Sequence, residues 1–314
     1  MSARTFVAAL TVNEKVSAAE EFSNDARGFR RLHGWLGQHF AGKVRAGIEA
    51  TNIYGHALAA ALHGRGHEVY LLNPEQVAHY ARAIGQRNKT DHCDARTIAR
   101  FVAAHNDFTP WRPRAAAHAA LQSLTRARSQ LVSAREELTN QARTASAPAK
   151  AVLVGAVADL RARVVEIEAK IRRLLSEHPE LGDQVRRLRT IKGVGQITAA
   201  VVIAELPPVD RSSDPRALAA FAGLIPRRWQ SGSIVLPARL SRKGNAYLRE
   251  ALYMPALVAR RFNPVLREYA QRLKTRNKTS GAILGAVAHK MLRIMVGLLK
   301  HQVDFDPNWT FSKA

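Results

Sequence analysis

The alternation of strand-like and helix-like segments near the N-terminus is the feature that most limits how this chain can fold. Two short apolar runs of strand type, over residues 44–50 and 68–72, are each followed by a segment with helical spacing, over residues 57–62 and 75–84. This alternation predicts an α/β domain with a partly parallel sheet. Ligands bind at the carboxyl ends of strands in such sheets, so Glu49 is a candidate site residue. A hydrogen bond to the following loop would also explain this carboxylate.

The flanking segments complete this N-terminal domain. Residues 5–12 form a strand-like run, residues 15–22 offer it a partner, and residues 24–36 follow the pattern of a capped helix. The Pro-Trp-Arg-Pro sequence at 110–113 then ends the domain, because proline interrupts both helices and strands.

Two carboxylates, Asp91 and Asp94, stand three residues apart at the start of a helix-like segment. Residues at this spacing share one face of a helix, with Lys89 and Arg96 close by. Adjacent carboxylates repel each other, and a divalent cation such as Mg²⁺ removes that cost. The pair therefore predicts half of a metal site for phosphodiester chemistry. The alternative is an ordinary helix start, with Asp91 as the N-cap and Asp94 in the first turn.

The middle of the chain predicts two long amphipathic helices. From residue 114 to about residue 176, apolar side chains recur at spacings of three and four, with a break near Ala147-Pro148. We interpret the pair as an antiparallel hairpin or a dimerising coiled coil. The alternative is an extended basic helix that lies along nucleic acid.

The third segment begins with the pattern of a helix–hairpin–helix. Two apolar helix-like runs flank Gly193-Val194-Gly195, and Lys192 precedes the glycines. In this motif the glycines let backbone N–H groups approach a DNA phosphate, and the second helix presents its positive N-terminus. An ordinary turn between two helices is the alternative.

A serine next to glycine, Ser231, follows paired arginines in a segment that we predict to be a loop. A serine hydroxyl in this setting is a candidate nucleophile, and Arg227 and Arg228 would hold the phosphate that it attacks. Arg242 and Lys243 extend the basic surface. Helices are predicted to follow over residues 247–261 and 283–299.

The charge of the chain favours a polyanionic partner. Its formal net charge is +23, which points to nucleic acid first and to an anionic membrane second. The single cysteine, Cys93, excludes an internal disulfide and a cysteine-rich zinc site. We find neither a membrane-spanning run nor a signal peptide, and therefore expect a soluble, cytoplasmic protein.

A series of short motifs makes the chain resemble a known family. It resembles the DEDD transposases of the bacterial IS110 insertion-sequence family over nearly its whole length. The motifs that carry the resemblance are, in chain order, Ile48-Glu49-Ala50-Thr51, Asn73-Pro74, Arg87-Asn88-Lys89-Thr90-Asp91 with Asp94-Ala95-Arg96, Gly193-Val194-Gly195, Phe221-Ala222-Gly223-Leu224 with Pro226-Arg227-Arg228, Ser231-Gly232-Ser233, and Ala251-Leu252-Tyr253-Met254-Pro255-Ala256.

The resemblance implies three domains. They are an α/β RuvC-like domain of the ribonuclease H fold (residues 1–112), a helical coiled-coil middle (113–182), and a mainly α transposase domain with the helix–hairpin–helix and the serine (183–314). It also implies a transposase or recombinase that cuts and exchanges DNA strands at element ends and target. A homo-oligomer, dimer or tetramer, is expected. Some members of the family are directed by a structured guide RNA, which is a further candidate partner.

The resemblance also assigns roles to individual residues. Glu49, Asp91 and Asp94 correspond to three of the four carboxylates that bind Mg²⁺ or Mn²⁺. Ser231 corresponds to the serine that attacks DNA and forms a covalent phosphoserine link.

One departure from the family pattern leaves other functions open. The family has its first Asp at the end of a central first strand, but no Asp precedes Asp25 here. We expect either an in-frame extension upstream of Met1 that carries this strand and its Asp, or an inactive copy. A Holliday-junction nuclease that uses the carboxylates alone, and an inactive DNA-binding remnant, are the alternative functions.

Overall fold

The chain divides into two compact units, Met1–Arg114 and Ala115–Ala314. The computed structural model describes residues 2–13, 15–17, 19–50, 54–231, 234–241 and 243–308, most of them helical. The helices of the predicted middle segment belong to the second unit. The division into three domains stays a prediction.

The first unit contains strands followed by alternating helices and strands. Its elements are β1 (Thr5–Ala8), β2 (Thr11–Val12), β3 (Lys15–Val16), β4 (Glu20–Ser23), α1 (Ala26–His39), β5 (Arg45–Glu49), α2 (Gly55–His63), β6 (Glu68–Leu72), α3 (Pro74–Ala83) and α4 (Asp91–Ala104). Side-chain caps fix where two of these helices begin: the carboxylate of Asp25 accepts from Gly28 N, and Asn73 Oδ1 accepts from Glu75 N.

The strands of this unit pair two by two. β5 and β6 are parallel, with Ile48 opposite Leu71, which confirms the predicted parallel pairing. β1 pairs with β4 and β2 with β3, both antiparallel. Among the described residues, β1 and β5 are therefore each paired along one edge only. Aromatic contacts between Phe6, Phe22 and Trp35 fill the core beside β1 and β4.

The second unit is a helical assembly with one β-hairpin. Its elements are α5 (Ala116–Thr144), α6 (Ala147–Glu177), α7 (Pro179–Arg189), α8 (Gln196–Glu205), α9 (Pro215–Phe221), β7 (Pro226–Ser231), β8 (Ile234–Leu240), α10 (Ala246–Phe262), α11 (Pro264–Thr275) and α12 (Ser280–His301). Within the described residues, α12 is the one helix long and apolar enough to cross a membrane, so the expectation of no such run was wrong. Most of α12 is buried in the core of this unit, as in a core helix.

The predicted helical hairpin is present in α5 and α6. The two helices are joined by residues 145–146 and pack along each other, with Leu121 and Ile171 fully buried. Arg128 Nε and Glu168 Oε1 form an ion pair across them at 2.7 Å. Dimerisation through this hairpin stays a prediction.

Two features of the second unit differ from the sequence-based expectation. The segment expected to be a loop around Ser231 lies in the hairpin of β7 and β8, and α9 and α11 were not predicted. The adjacent arginines Arg227 and Arg228 and the proline at position 237 interrupt the alternation of polar and apolar residues by which a strand is usually predicted. At α11 the Asn263-Pro264 pair is the missed signal, since Asn263 Oδ1 accepts from Leu266 N.

A buried carboxylate ties α5, α8 and α10 together. Glu205 is 1% exposed, and its carboxylate accepts hydrogen bonds from both Nε and Nη2 of Arg126, at 2.6 and 2.8 Å. Asn245, the N-cap of α10, donates to the same carboxylate at 2.7 Å. Burial alone would raise the pKa of Glu205, but the hydrogen bonds from Arg126 and Asn245 outweigh it and leave the pKa below its usual value. The ionised Glu205 carboxylate therefore stabilises the fold fully at a pH above its unfolded-state pKa. This stabilisation is lost as the pH falls through the lower folded-state pKa of Glu205.

We expect Arg126→Met to lower the free energy of unfolding by about 3 kcal/mol, because it leaves the Glu205 charge buried without its cation. The matched control is Arg128→Met on the same helix, whose partner Glu168 is about a quarter exposed. That change should cost about 1 kcal/mol or less. Urea unfolding followed by circular dichroism measures both, and equal losses in the two variants would contradict the special role of Glu205.

Candidate active site

The first unit has a cavity of about 400 Å³ whose wall includes Glu49, Asp91 and Asp94. Strands β1 and β5 and helix α4 form much of the lining, so the three predicted carboxylates share one concave surface. Lys43 and Arg45 are also among the lining residues, although the guanidinium of Arg45 donates to Tyr70, Asn106 and His105. The structure thus brings together, around one cavity, acidic residues that are more than forty positions apart in sequence.

Local structure explains where each carboxylate lies. Glu49 is the last residue of β5, and the next residue stays fixed to β6 because Ala50 N donates to Leu72 O at 2.9 Å. Helix α4 begins at Asp91, but its N-cap is Thr90, whose Oγ1 accepts from Cys93 N at 3.2 Å. The prediction of Asp91 as N-cap was therefore wrong. Asp91 is the first helical residue and is exposed.

Asp94 has an orienting partner that the sequence did not suggest. Gln86 Nε2 donates to Asp94 Oδ1 at 3.3 Å, and the hydroxyl of Thr97 donates to Gln86 Oε1. Thr97 is almost fully buried, which anchors this arrangement to the packed side of α4. Gln86 lies in an irregular segment before the helix, where no periodic pattern marks it.

The carboxylates fit an open metal site better than a closed one. Among the described residues, no three His, Cys, Asp or Glu side chains converge closely enough to enclose a metal ion. Mg²⁺ commonly takes only one or two carboxylates and completes its shell with waters and phosphate oxygens. The carboxylates lie on an accessible wall, and Lys89 and Arg96 are exposed near the start of α4. This arrangement suits an ion whose shell is completed by waters and phosphate oxygens.

The spacing between β5 and α4 depends on a glycine that the sequence did not single out. A Cβ on Gly47 would lie 2.5 Å from Val102 Cγ2 and 2.7 Å from Leu72 Cδ1. Gly47 therefore lets α4, which carries Asp91 and Asp94, approach the strand that carries Glu49.

Gly47→Ala should lower the free energy of unfolding by about 1–3 kcal/mol, because the added methyl overpacks the strand–helix contact. Val102 is the nearest neighbour of the added methyl. The double variant Gly47→Ala/Val102→Ala should therefore lose less free energy of unfolding than the two single variants lose together. Denaturant unfolding of all four proteins gives this coupling. Strict additivity would show that the contact does not set the spacing.

In the second unit, the two glycines of the predicted helix–hairpin–helix serve different purposes. Gly193 has φ +103°, and a Cβ there would lie 3.3 Å from Pro255 O and Ala259 N, so its packing on α10 requires glycine. Gly195 is exposed, has open space around it, and begins α8 without a side-chain cap. With Lys192 exposed nearby, the start of α8 is the part of this turn suited to a phosphate.

The β-hairpin carries the remaining predicted residues. Arg227 lies directly opposite Arg239, and both are exposed. Like charges in this position repel, so an anion bound between them would relieve the repulsion. Lys243 is exposed just before α10. Arg228 and Ser231 belong to β7, but their side chains lie outside the described residues, as does Arg242 altogether.

The chain is similar to known transposases over most of its length. Residues 2–145 match the family model for IS110-type DEDD transposases, and residues 185–271 match the one described as Transposase IS116/IS110/IS902 family. A pilin gene-inverting protein of Moraxella bovis is 29% identical over 91% of this chain and 89% of its own length. The transposase for insertion sequence element IS1328 of Yersinia enterocolitica is 27% identical over 76% of this chain and 79% of its own. A probable family 20 transposase of Pseudomonas aeruginosa is 27% identical, with 80% and 83% covered.

Proposed function

The chain belongs to the IS110 family of DEDD transposases, and on this premise we propose that it cuts and rejoins DNA strands with a carboxylate metal site and a serine nucleophile. The observation that carries the proposal is the presence of Glu49, Asp91 and Asp94 on the wall of one cavity. Three carboxylates on the wall of one cavity in a strongly basic protein are suited to binding a cation together with a nucleic-acid phosphate.

Carboxylates from the set Glu49, Asp91 and Asp94 would hold a divalent cation, Mg²⁺ or Mn²⁺, with waters and phosphate oxygens completing its shell. When bound, such an ion neutralises charge on the phosphate and orients it for in-line attack. The protein's own contribution is to position the carboxylates, with Gln86 holding Asp94 and Gly47 setting the approach of α4 to β5.

The serine step exchanges one phosphate ester for another. The hydroxyl of Ser231 loses its proton, Oγ bonds to phosphorus, and the phosphorus–oxygen bond to one sugar breaks, with that sugar oxygen taking a proton. Attack by another sugar hydroxyl on the phosphoserine then rejoins DNA and releases Ser231. The exposed arginines of the hairpin, Arg227 and Arg239, would stabilise the charge that develops on the phosphate.

Nucleic-acid binding should depend steeply on salt. Phosphate contacts release counterions, so the logarithm of affinity for duplex DNA should fall by roughly 0.9 per logarithm of salt for each phosphate contacted. Arg227→Gln and Lys192→Gln should each reduce this slope by roughly the amount that one phosphate contact contributes. A titration by fluorescence anisotropy measures the slope, and a flat response would contradict binding through the basic surface.

Recombination in a bacterial cell tests the proposed function. A plasmid carries this gene with the DNA that flanks it, and junction-specific amplification detects excised, inserted or inverted segments. The expected result is junction products that need the expressed protein. Inversion deserves its own primer pair, because one relative is a pilin gene-inverting protein. Cleavage that never yields rejoined strands would favour the alternative of a nuclease that uses the carboxylates alone. Binding without cleavage would favour the inactive DNA-binding remnant. The guide RNA and the homo-oligomer stay predictions.

A further inference from the structure

The hairpin of β7 and β8 is held mainly near its two ends. On β7 the side chains of Arg227 and Trp229 are exposed, whereas Leu240, the last residue of β8, packs against α12 beside Gly285. An isolated two-stranded hairpin is at best marginally stable in water. The position of Ser231, at the far end of β7, therefore depends on how firmly the start of β7 and the end of β8 are held.

Two neighbouring segments carry the chain into and out of this hairpin. They are residues 221–225, before β7, and residues 241 and 243–245, after β8; together they are called the hairpin base here. Backbone hydrogen bonds of 2.8 Å join the two segments, from Ser241 N to Ile225 O and from Asn245 N to Phe221 O.

Arg249, on α10, bridges the two segments with its side chain. Its Nη1 donates to Ala222 O on the first segment and to Gly244 O on the second, both at 3.0 Å. Ala222 is the C-cap of α9, so its carbonyl lies at the negative end of that helix, where a cation is favourable. One guanidinium thus ties the entry of the hairpin to its exit.

Two glycines leave the space that this bridge occupies. Gly223 has φ +67°, and a Cβ there would lie 2.8 Å from Arg249 Nη1. Gly244 has φ +144°, and a Cβ there would overlap Phe221 O. Both backbone conformations favour glycine, and both positions lack room for a side chain.

The buried carboxylate of Glu205 fixes the helix that carries the bridge. Nδ2 of Asn245 donates to Glu205 at 2.7 Å, which directs Oδ1 of the same amide to Leu248 N at 3.1 Å. Arg249 follows Asn245 by one helical turn. The bridge is therefore anchored to the core of the unit and not to the hairpin itself.

We propose that Arg249 is a positioning residue for strand exchange, because its bridge keeps the hairpin base closed and so sets where Ser231 meets the DNA. The functional part of this proposal rests on the serine chemistry proposed above. Closure of the base is a property of the fold and is measured without DNA.

Hydrogen–deuterium exchange measured by mass spectrometry tests the closure. Arg249→Met removes the donors and keeps an aliphatic chain, so peptides covering the hairpin should exchange about tenfold or more faster than in the native chain. Peptides of α5 and α6 should be unchanged. Arg261→Met, at an exposed position of the same helix, is the matched control and should exchange as the native chain does. Unchanged exchange of the hairpin in Arg249→Met, or equally faster exchange throughout the unit, would overturn the proposal.

The rate of covalent adduct formation at saturating DNA tests the positioning. Arg249→Met should react roughly a hundredfold more slowly, because small displacements of a reacting group have effects of this size. Its DNA affinity should stay within about twofold and keep its dependence on salt, since the bridge contacts carbonyls. Arg249→Lys retains donors for the carbonyls and should recover part of both the exchange protection and the rate, and Arg261→Met should react at the native rate.

The outcomes separate this role from others. A native rate in Arg249→Met would overturn the proposal, and so would weaker DNA binding with a smaller salt slope, which indicates a phosphate contact. If the native chain itself forms no adduct, the serine chemistry fails, and hydrogen exchange still decides whether Arg249 closes the hairpin base.

Discussion

Replacing Ser231 with alanine is expected to abolish the covalent protein–DNA species and to lower strand exchange by more than about ten-thousandfold, because no other group can form the phosphoserine bond. DNA binding should stay within about twofold, since the change removes one hydroxyl and no cation. A labelled DNA substrate and a denaturing gel measure the adduct directly, as labelled DNA that migrates with the protein.

Ser233→Ala is the matched control for this experiment. It makes the same chemical change two residues further along the chain from Ser231, the last residue of β7. The control should retain the adduct. If Ser233→Ala loses the adduct while Ser231→Ala keeps it, the nucleophile has been assigned to the wrong serine.

Neutralising the carboxylates should also remove activity while preserving binding. Asp91→Asn and Asp94→Asn keep the size of each side chain but take away the charge that holds a cation. We expect each to lower strand cleavage by about a hundred- to a thousandfold, the usual effect of losing one electrostatic contact in a catalytic site. Removing divalent cations with EDTA should have at least the same effect on the native chain, and Mg²⁺ or Mn²⁺ should restore cleavage.

Asp107→Asn provides the control for these variants. Asp107 is an exposed aspartate of the same unit and is not among the residues that line the cavity. The Asp107→Asn variant should cleave DNA at the native rate. Full cleavage by Asp91→Asn and Asp94→Asn, or cleavage that is indifferent to EDTA, would contradict a metal site at this cavity.

Features with a local pattern were predictable from the sequence. The parallel pair β5 and β6 follows from two apolar runs with a helix between them, and the structure confirms it. The helix after Asp91 follows from its composition, although the cap belongs to Thr90 because a threonine hydroxyl reaches the free N–H of Cys93. The family itself follows from the combined motifs, as the comparisons confirm.

Features that depend on contacts distant in sequence were not predictable. Gly47 is needed only because Val102 and Leu72 converge on it, and Gly193 only because α10 passes beneath it. Gln86 gains its role from Asp94 and Thr97 after the chain folds. The same limit applies to the facing pair Arg227 and Arg239, since strand register is set by pairing rather than by either strand alone.

The most direct test of the proposed serine chemistry is to identify the residue that becomes joined to DNA. The purified chain is incubated with DNA that carries the ends of its own element in the presence of Mg²⁺, the DNA is digested to a short remnant, and tryptic peptides are sequenced by mass spectrometry. The expected result is a nucleotide attached through phosphate to Ser231, in native and Asp107→Asn chains and not in Asp91→Asn. Cleaved DNA with unmodified Ser231, or a nucleotide attached to a different residue, would contradict it.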